Sequence, residues 1–478
     1  MLIGVRHDGP STRSAIVSAT TTRRAVLVAA VLGTALAYMS DDMLNLAVPS
    51  VVRELGGTVT DVQWILNSYY VTLVSFVLIA GSIGDIAGHR RVFTTGLVVF
   101  SLGALVCAIA PAIGILVVGR AIQGFGSAML LTAGLALVTR LTPAEHRNRA
   151  IGQFLGLVAA VPALGPFLSG ALVDLLTWRW LFVVPLVLPS GAILVIRLLV
   201  PETPRGEKRR PDLLGAAAAF VTLCSISVAL IAGAVDQTAP LPLAAFAIAT
   251  LAGGSFVLIE RRALDPMLPF GIFRRRAFLG ANLVWLLGSM TCWGAVFFLA
   301  VALQTTLGLR PVIAGLVLMP IYLVMMVGSP LAGRVAERTG PRLPIVAGLA
   351  VYALGLWGLS GIGPATAVVP DVLLALAVMA VGMATFTAPL AAVTMSSLDE
   401  TDQGVASGVN NAMGQFAGLL AVAILPAVAG LGGISFGDPA FAAGYSSALR
   451  AAAVIAMIAI VVAGVTLGRA RLARGTSE

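Results

Sequence analysis

The sequence predicts an all-α polytopic membrane protein, with about fourteen transmembrane helices set as two six-helix bundles and two linker helices. Three observations predict it. Of the 478 residues 59% are hydrophobic and 11% charged, with a mean hydropathy of +1.00, whereas soluble domains run near 45–50% apolar and about a quarter charged. Apolar runs of about 20 residues, the length that crosses a hydrocarbon core of about 30 Å, recur along the chain. A charged loop motif occurs twice, once at Gly81 and again at Gly333. So few charges exclude an ordinary soluble protein, and disorder goes with low hydrophobicity. The formal charge of +9 is not gathered on one wet face as nucleic acid would require, so no nucleic acid is expected as a partner.

Residues 1–24, rich in Ser, Thr and Arg, are expected to form a disordered cytoplasmic tail. The N-terminal bundle, 25–200, is expected to hold spans at 25–48, 62–84, 92–110, 112–139, 150–173 and 178–200. The linker, 201–276, holds spans at 212–234 and 241–259 between basic loops. The C-terminal bundle, 277–468, holds 277–306, 311–333, 342–362, 369–397, 404–428 and 446–468, followed by a second tail, 469–478. Backbone polar groups cannot stay unpaired in lipid, and these runs are too long and non-alternating for barrel strands, so they must be helices. Arg23-Arg24 before an apolar stretch resembles a twin-arginine export signal, but no small-residue cleavage site follows and the stretch runs into Asp41-Asp42.

Basic residues set the expected orientation. With the amino terminus inside, outside loops contain only Arg53, Arg179 and Arg310, while Arg120, Arg197 and Arg450 fall within spans. The remainder mark the inside, which places both termini in the cytoplasm of a cell (plasma) membrane. Cys107, Cys224 and Cys292 all lie in apolar runs, so neither a disulfide framework nor a metal site is expected.

The motif reads G-x-x-x-[DE]-x-x-G-x-R. Its first copy places Gly81, Asp85, Gly88 and Arg90 between the second and third spans, and its second places Gly333, Glu337, Gly340 and Arg342 between the tenth and eleventh. The first glycine would allow close helix approach, the second a permissive turn, and the acid could pair with the arginine or accept from a helix N-terminus. Two copies at equivalent places imply parallel repeats around a midplane site, the architecture of a rocking secondary transporter.

With these residues in view the chain resembles the major facilitator superfamily, and within it the fourteen-helix drug:proton antiporter (multidrug efflux) family. The most specific parts are the Gly81–Arg91 loop, Arg120-Ala-Ile-Gln123-Gly124-Phe-Gly126 in the fourth span and Gly165-Pro166-Phe-Leu-Ser169-Gly170 in the fifth. Asn45-Leu-Ala47-Val-Pro49, Gln63-Trp64, Trp178-Arg179-Trp180 and Asp212-Leu-Leu-Gly215 also stand where that family has them. There are departures. Ile86 and His89 replace arginines of the loop motif, Pro185 falls near a customary asparagine, and Ser40 stands nine residues before Pro49 where the family carries its first-helix acid.

A proton-coupled carrier needs an intramembrane group that binds either a proton or substrate, and charged residues kept within spans are costly. Thr34, Tyr38, Asp41 and Asn45 form one polar stripe on the first helix, with Asp42 at its edge. Asp41 is the expected proton carrier, with Asp42 second; the other reading makes both solvated carboxylates near the outer interface. The resemblance implies that Arg120 relays between acid and substrate, and a structural arginine bonded to helix carbonyls is the other reading. It also implies that Pro162, Gly165, Pro166 and Gly170 form an antiporter motif sealing the cavity, while Gly152, Gly156 and Ala160 would let helices pack closely. Tyr38, Asn45, Asn67, Tyr70 and Gln123 from the first half, and Asn282, Trp285, Trp293, Gln304, Asn411 and Gln415 from the second, are candidate cavity residues.

This mixture suits an amphipathic organic molecule. The expected function is an antiporter, not an enzyme, that exports lipophilic or cationic small molecules in exchange for protons. Protons are the coupling ion, no other cofactor is expected, and the partners are substrate and lipid around a monomer. An uncoupled facilitator or importer of the same fold is the alternative. A membrane-embedded lipid or prenyl transferase with Asp41-Asp42 as metal ligands is remote, since no further carboxylates accompany the pair.

Overall fold

The computed structural model describes residues 12–200, 212–236, 238–263, 266, 268, 270–398 and 403–467. Among them twelve helices are long and apolar enough to cross a membrane, and up to fourteen when two bent pairs are each taken as one span.

The first half contains α1 (Thr12–Leu55), α2 (Val59–Ala87), α3 (His89–Ala108), α4 (Ile113–Arg140), α5 (Ala144–Ala160), α6 (Gly165–Leu175) and α7 (Trp180–Leu199). Helix α1 starts well before the first expected span. Residues 12–24, read from sequence as irregular tail, are helical because no Pro or Gly interrupts them; residues 1–11 lie outside the described chain. Between Ala25–Ser40 and Asp42–Leu55 the helix bends by 40°. The fifth span is split by a 3₁₀ turn, Val161–Leu164, between α5 and α6. Pro162 and Pro166 each remove a backbone donor, so an unbroken α-helical ladder cannot form there.

The linker contributes α8 (Leu213–Gly233) and α9 (Pro240–Arg262). Asp212 caps α8 by accepting from the Gly215 amide at 2.7 Å. Helix α8 packs on both α2 and α14, so it lies along the seam between the halves, and α9 packs on α8. The second half contains α10 (Arg276–Thr305), α11 (Pro311–Thr339), α12 (Arg342–Leu359), α13 (Leu373–Ser396), α14 (Gln403–Val428) and α15 (Pro439–Thr466).

The repeat seen in sequence is also a repeat in packing. Gly103 of α3 abuts Gly119 and Gln123 of α4, and Gly355 of α12, at the equivalent place, abuts Met379 of α13. Gly126 of α4 packs on Phe100, as Gly382 of α13 packs on Tyr352. At the motif turns Gly88 and Gly340 have φ of 94° and 84°, backbone that favours glycine. Arg90 Nη2 donates to the Arg197 carbonyl of α7 at 3.1 Å, and Arg342 Nη2 donates to the Gly464 carbonyl of α15 at 2.8 Å. Each motif arginine therefore satisfies an orphan carbonyl at the end of the last helix in its own half.

Close contacts between the halves gather toward the face opposite the chain termini. Gln304 Nε2 donates to the Leu46 carbonyl at 3.0 Å and Gln63 Nε2 to the Val422 carbonyl at 2.7 Å. Further out, Val59 N donates to Ile434 O at 2.9 Å and Gly433 N to Thr60 Oγ1 at 3.1 Å. Arg310 pairs with Asp174 at 2.9 Å, and α6 packs directly on α11.

Candidate functional site

A cavity of about 290 Å³ lies between the halves on the terminus side of these contacts. From α1 it is lined by Tyr38 and Asp42. The second half supplies Trp285, Ser289, Cys292, Trp293 and Val296 of α10, Ile321, Tyr322 and Met325 of α11, Met383 of α13, and Ser407, Asn410, Asn411, Gly414 and Gln415 of α14. Asp42 brings the charge in this wall. The rest is aromatic rings, amides, hydroxyls and sulfur, a surface for apolar or amphipathic molecules with a few polar anchors. Among the described residues no group of three His, Cys, Asp or Glu could hold a metal ion.

Asp42 is 6% exposed, and the Tyr322 hydroxyl donates to its Oδ2 across the seam at 3.0 Å. It is thus a buried carboxylate in the cavity wall rather than a solvated group at an interface. Asp41 sits at the bend of α1, and its side chain lies outside the described residues. One turn before Asp42, Tyr38 donates to Asn411 Oδ1 of α14 at 3.2 Å. Thr34, another turn back, donates to the Leu130 carbonyl within the first half at 3.3 Å. The polar stripe of α1 therefore faces α4 at one end and the second half at the other.

Arg120 of α4 is fully buried. Its Nη1 donates to Ser40 Oγ and to Gln123 Oε1, both at 3.2 Å, and its guanidinium lies 4.2 Å from the centroid of the Tyr69 ring. Tyr69 in turn donates to the Ala37 carbonyl at 2.8 Å. The arginine thus reaches α1 at Ser40, the position where the resembling family carries its acid, two residues from Asp42.

The other sequence candidates fall into three groups. Tyr38, Trp285, Trp293, Asn411 and Gln415 line the cavity. Gln304 bonds a backbone carbonyl above it, Gln123 accepts from Arg120, and Asn282 Nδ2 donates to Phe278 O of its own helix at 2.9 Å. Asn45 and Asn67 are buried away from the cavity, and Tyr70 packs where Gly418 of α14 leaves room for its ring. Sequence reasoning missed Tyr322, Cys292, Met325, Met383, Ser407 and Asn410. Tyr322, a phenol two residues after Pro320 inside an apolar span, was the available signal.

Four glycine expectations are corrected. Gly81 and Gly333 have no neighbour within 4 Å of an added β-carbon, and neither do Gly152 and Gly156. None of them marks a close helix approach; Gly152 and Gly156 are exposed. In the fifth-span motif the tight place is Gly170, against Pro311 and Val312, whereas Gly165 has its nearest neighbours at 3.9 Å. Pro162 is buried in the 3₁₀ turn, and the Pro166 carbonyl abuts Gly315. At the loop motif Asp85 pairs not with Arg90 but with Arg140, at 2.6 Å, with His89 Nε2 at 3.3 Å. Glu337 is exposed.

The family model for the Major Facilitator Superfamily matches residues 30–422. Among curated relatives, the cephamycin export protein CmcT of Amycolatopsis lactamdurans is 32% identical over 93% of this chain and 92% of its own. Multidrug resistance protein Stp of Mycobacterium tuberculosis is 30% identical over 85% of this chain and 76% of its own. Puromycin resistance protein pur8 of Streptomyces alboniger is 32% identical over 82% and 79%. Solved structures share the fold at low identity. A bacterial homologue of the human lysosomal transporter Spinster superposes with a TM-score of 0.66 at 14% identity, covering 93% of this chain and 98% of that one. The xylose transporter XylE from E. coli gives 0.61 at 12%, covering 94% and 97%. With its helical repeat and the cavity between its halves, the chain is a multi-pass membrane transporter and belongs to the major facilitator superfamily.

Proposed function

We propose that the protein is a proton-coupled antiporter that exports lipophilic or amphipathic small molecules, cations among them, across the plasma membrane by alternating access. The observation that carries this reading is Asp42, a buried carboxylate facing a mainly apolar cavity and bonded to the opposite half. Such a group can hold a proton or serve as counter-ion to a cation, and holding one in the membrane is costly unless it is used. Resistance and export proteins among the relatives support a drug or natural-product substrate. The distribution of arginines supports an orientation with both termini in the cytoplasm; in that orientation the present arrangement, with the halves in contact on the opposite face, is closed to the outside. The chain acts as a monomer and as a carrier, with protons as its coupling ion.

The test is a susceptibility screen of cells lacking or overexpressing the protein against lipophilic cations and antibiotics. Overexpression should raise tolerance to a subset of them, and Asp42→Asn at equal membrane abundance should not. Unchanged tolerance across the panel, or full protection by Asp42→Asn, would contradict the proposal.

A further inference from the structure

We infer that Tyr322 ties the movement of the two halves to the charge on Asp42 and so prevents the empty carrier from crossing. The inference rests on the proton-exchange reading above.

Tyr322 belongs to α11 and Asp42 to α1, so their 3.0 Å hydrogen bond spans the seam that must open for the carrier to change face. A hydrogen bond to an ionised carboxylate is roughly twice as strong as one between neutral groups, and a buried site strengthens it further. The ionised, unoccupied Asp42 therefore holds the halves in the arrangement seen here. Two events loosen the bond. A proton from the aqueous phase converts the carboxylate to a neutral carboxyl, with no other bond broken and no electron moved. Alternatively, a cation entering the cavity takes the carboxylate as its counter-ion and displaces the phenol. Strict exchange needs this logic: loaded forms cross and the empty ionised form does not, since its return would let protons flow without substrate.

Around Asp42, Tyr38 lies on the same helix and Asp41 is the preceding residue in the chain, Cys292 of α10 lines the same wall, and Arg120 of α4 reaches Ser40 two residues away. Gln63 supplies an internal control. Its 2.7 Å bond to the Val422 carbonyl crosses the same seam away from the cavity, and both partners are neutral. Losing it should weaken the contact equally in every charge state of Asp42, whereas losing the Tyr322 hydroxyl should erase the difference between states.

The experiment is proton flux into liposomes containing the full chain and a luminal pH dye, with the membrane potential clamped at zero and an imposed pH gradient, with or without ethidium as the exchanging probe. The wild type and Gln63→Leu should pass protons only when ethidium is on the opposite side. Tyr322→Phe should pass them without ethidium, about tenfold or more faster than the wild type does, the ratio expected from deleting a charge-assisted hydrogen bond. It should also lose the pH dependence of its inward–outward equilibrium. A Tyr322→Phe carrier as tight as the wild type overturns the inference alone, as does an equal leak in Gln63→Leu. A wild type that exchanges no protons for ethidium overturns the exchange reading and this inference together.

Discussion

Gly170 and Pro311 touch across the seam so closely that a β-carbon on the glycine would collide with the proline carbonyl, and Gly315 repeats the contact in reverse against Pro166. This reciprocal pair sits where α6 meets α11, and it is possible only because two glycines leave backbone against backbone. Replacing either by alanine should destabilise the closure by about 1–3 kcal/mol, the cost of overpacking a tight contact. A thiol placed at Asn67, which is fully buried in this arrangement, should then react faster with an impermeant reagent added outside. Gly165→Ala, with its nearest neighbours at 3.9 Å, should change that rate little.

The ion pair of Arg310 with Asp174 spans the same seam at 2.9 Å, but the arginine side chain is 69% exposed. Exposed pairs contribute about 0.2–1 kcal/mol. Arg310→Ala should therefore raise outside labelling at position 67 less than the Gly170 substitution does, and its difference from the wild type should vanish in high salt. A larger effect than that of Gly170→Ala would show that charge, not backbone contact, holds this face shut.

Arg120 offers charged donors to Ser40 and Gln123 in a fully buried setting, where such bonds contribute about 1.5–3 kcal/mol each. Arg120→Ala should lower proton-driven export by about tenfold or more at unchanged membrane abundance. Near-normal export with normal expression would mean that Arg120 has no part in coupling.

Exchange at one carboxylate also sets the thermodynamics. One proton exchanged for one monovalent cation moves no net charge, so the gradient should grow about tenfold for each unit of pH difference and ignore the membrane potential. A neutral substrate should gain a further contribution of about 2.3 kcal/mol per 100 mV. Flux ratios measured at clamped potential with cationic and neutral probes check this directly.

The helices were legible because lipid imposes an apolar length on every span, and the repeat was legible because its motif residues close equivalent turns. Which face each helix turns inward was not. In a membrane the lipid-facing and core-facing sides are both apolar, so the pattern that orients a soluble helix is absent. Gln304 reads by residue type as a cavity polar group, yet it spends its amide on a carbonyl of the opposite half, as Gln63 does. Tyr322 passed unnoticed because its significance comes from Asp42, 280 positions away. Glycine spacing misled for the same reason: Gly152 and Gly156 have the separation of a packing motif but no helix against them.

Proton-coupled export through Asp42 is tested by ethidium accumulation in energised inverted membrane vesicles. Wild-type vesicles should take up ethidium, and that uptake should collapse on adding a protonophore and be absent with Asp42→Asn. Uptake that survives the protonophore, or that Asp42→Asn retains in full, would contradict it.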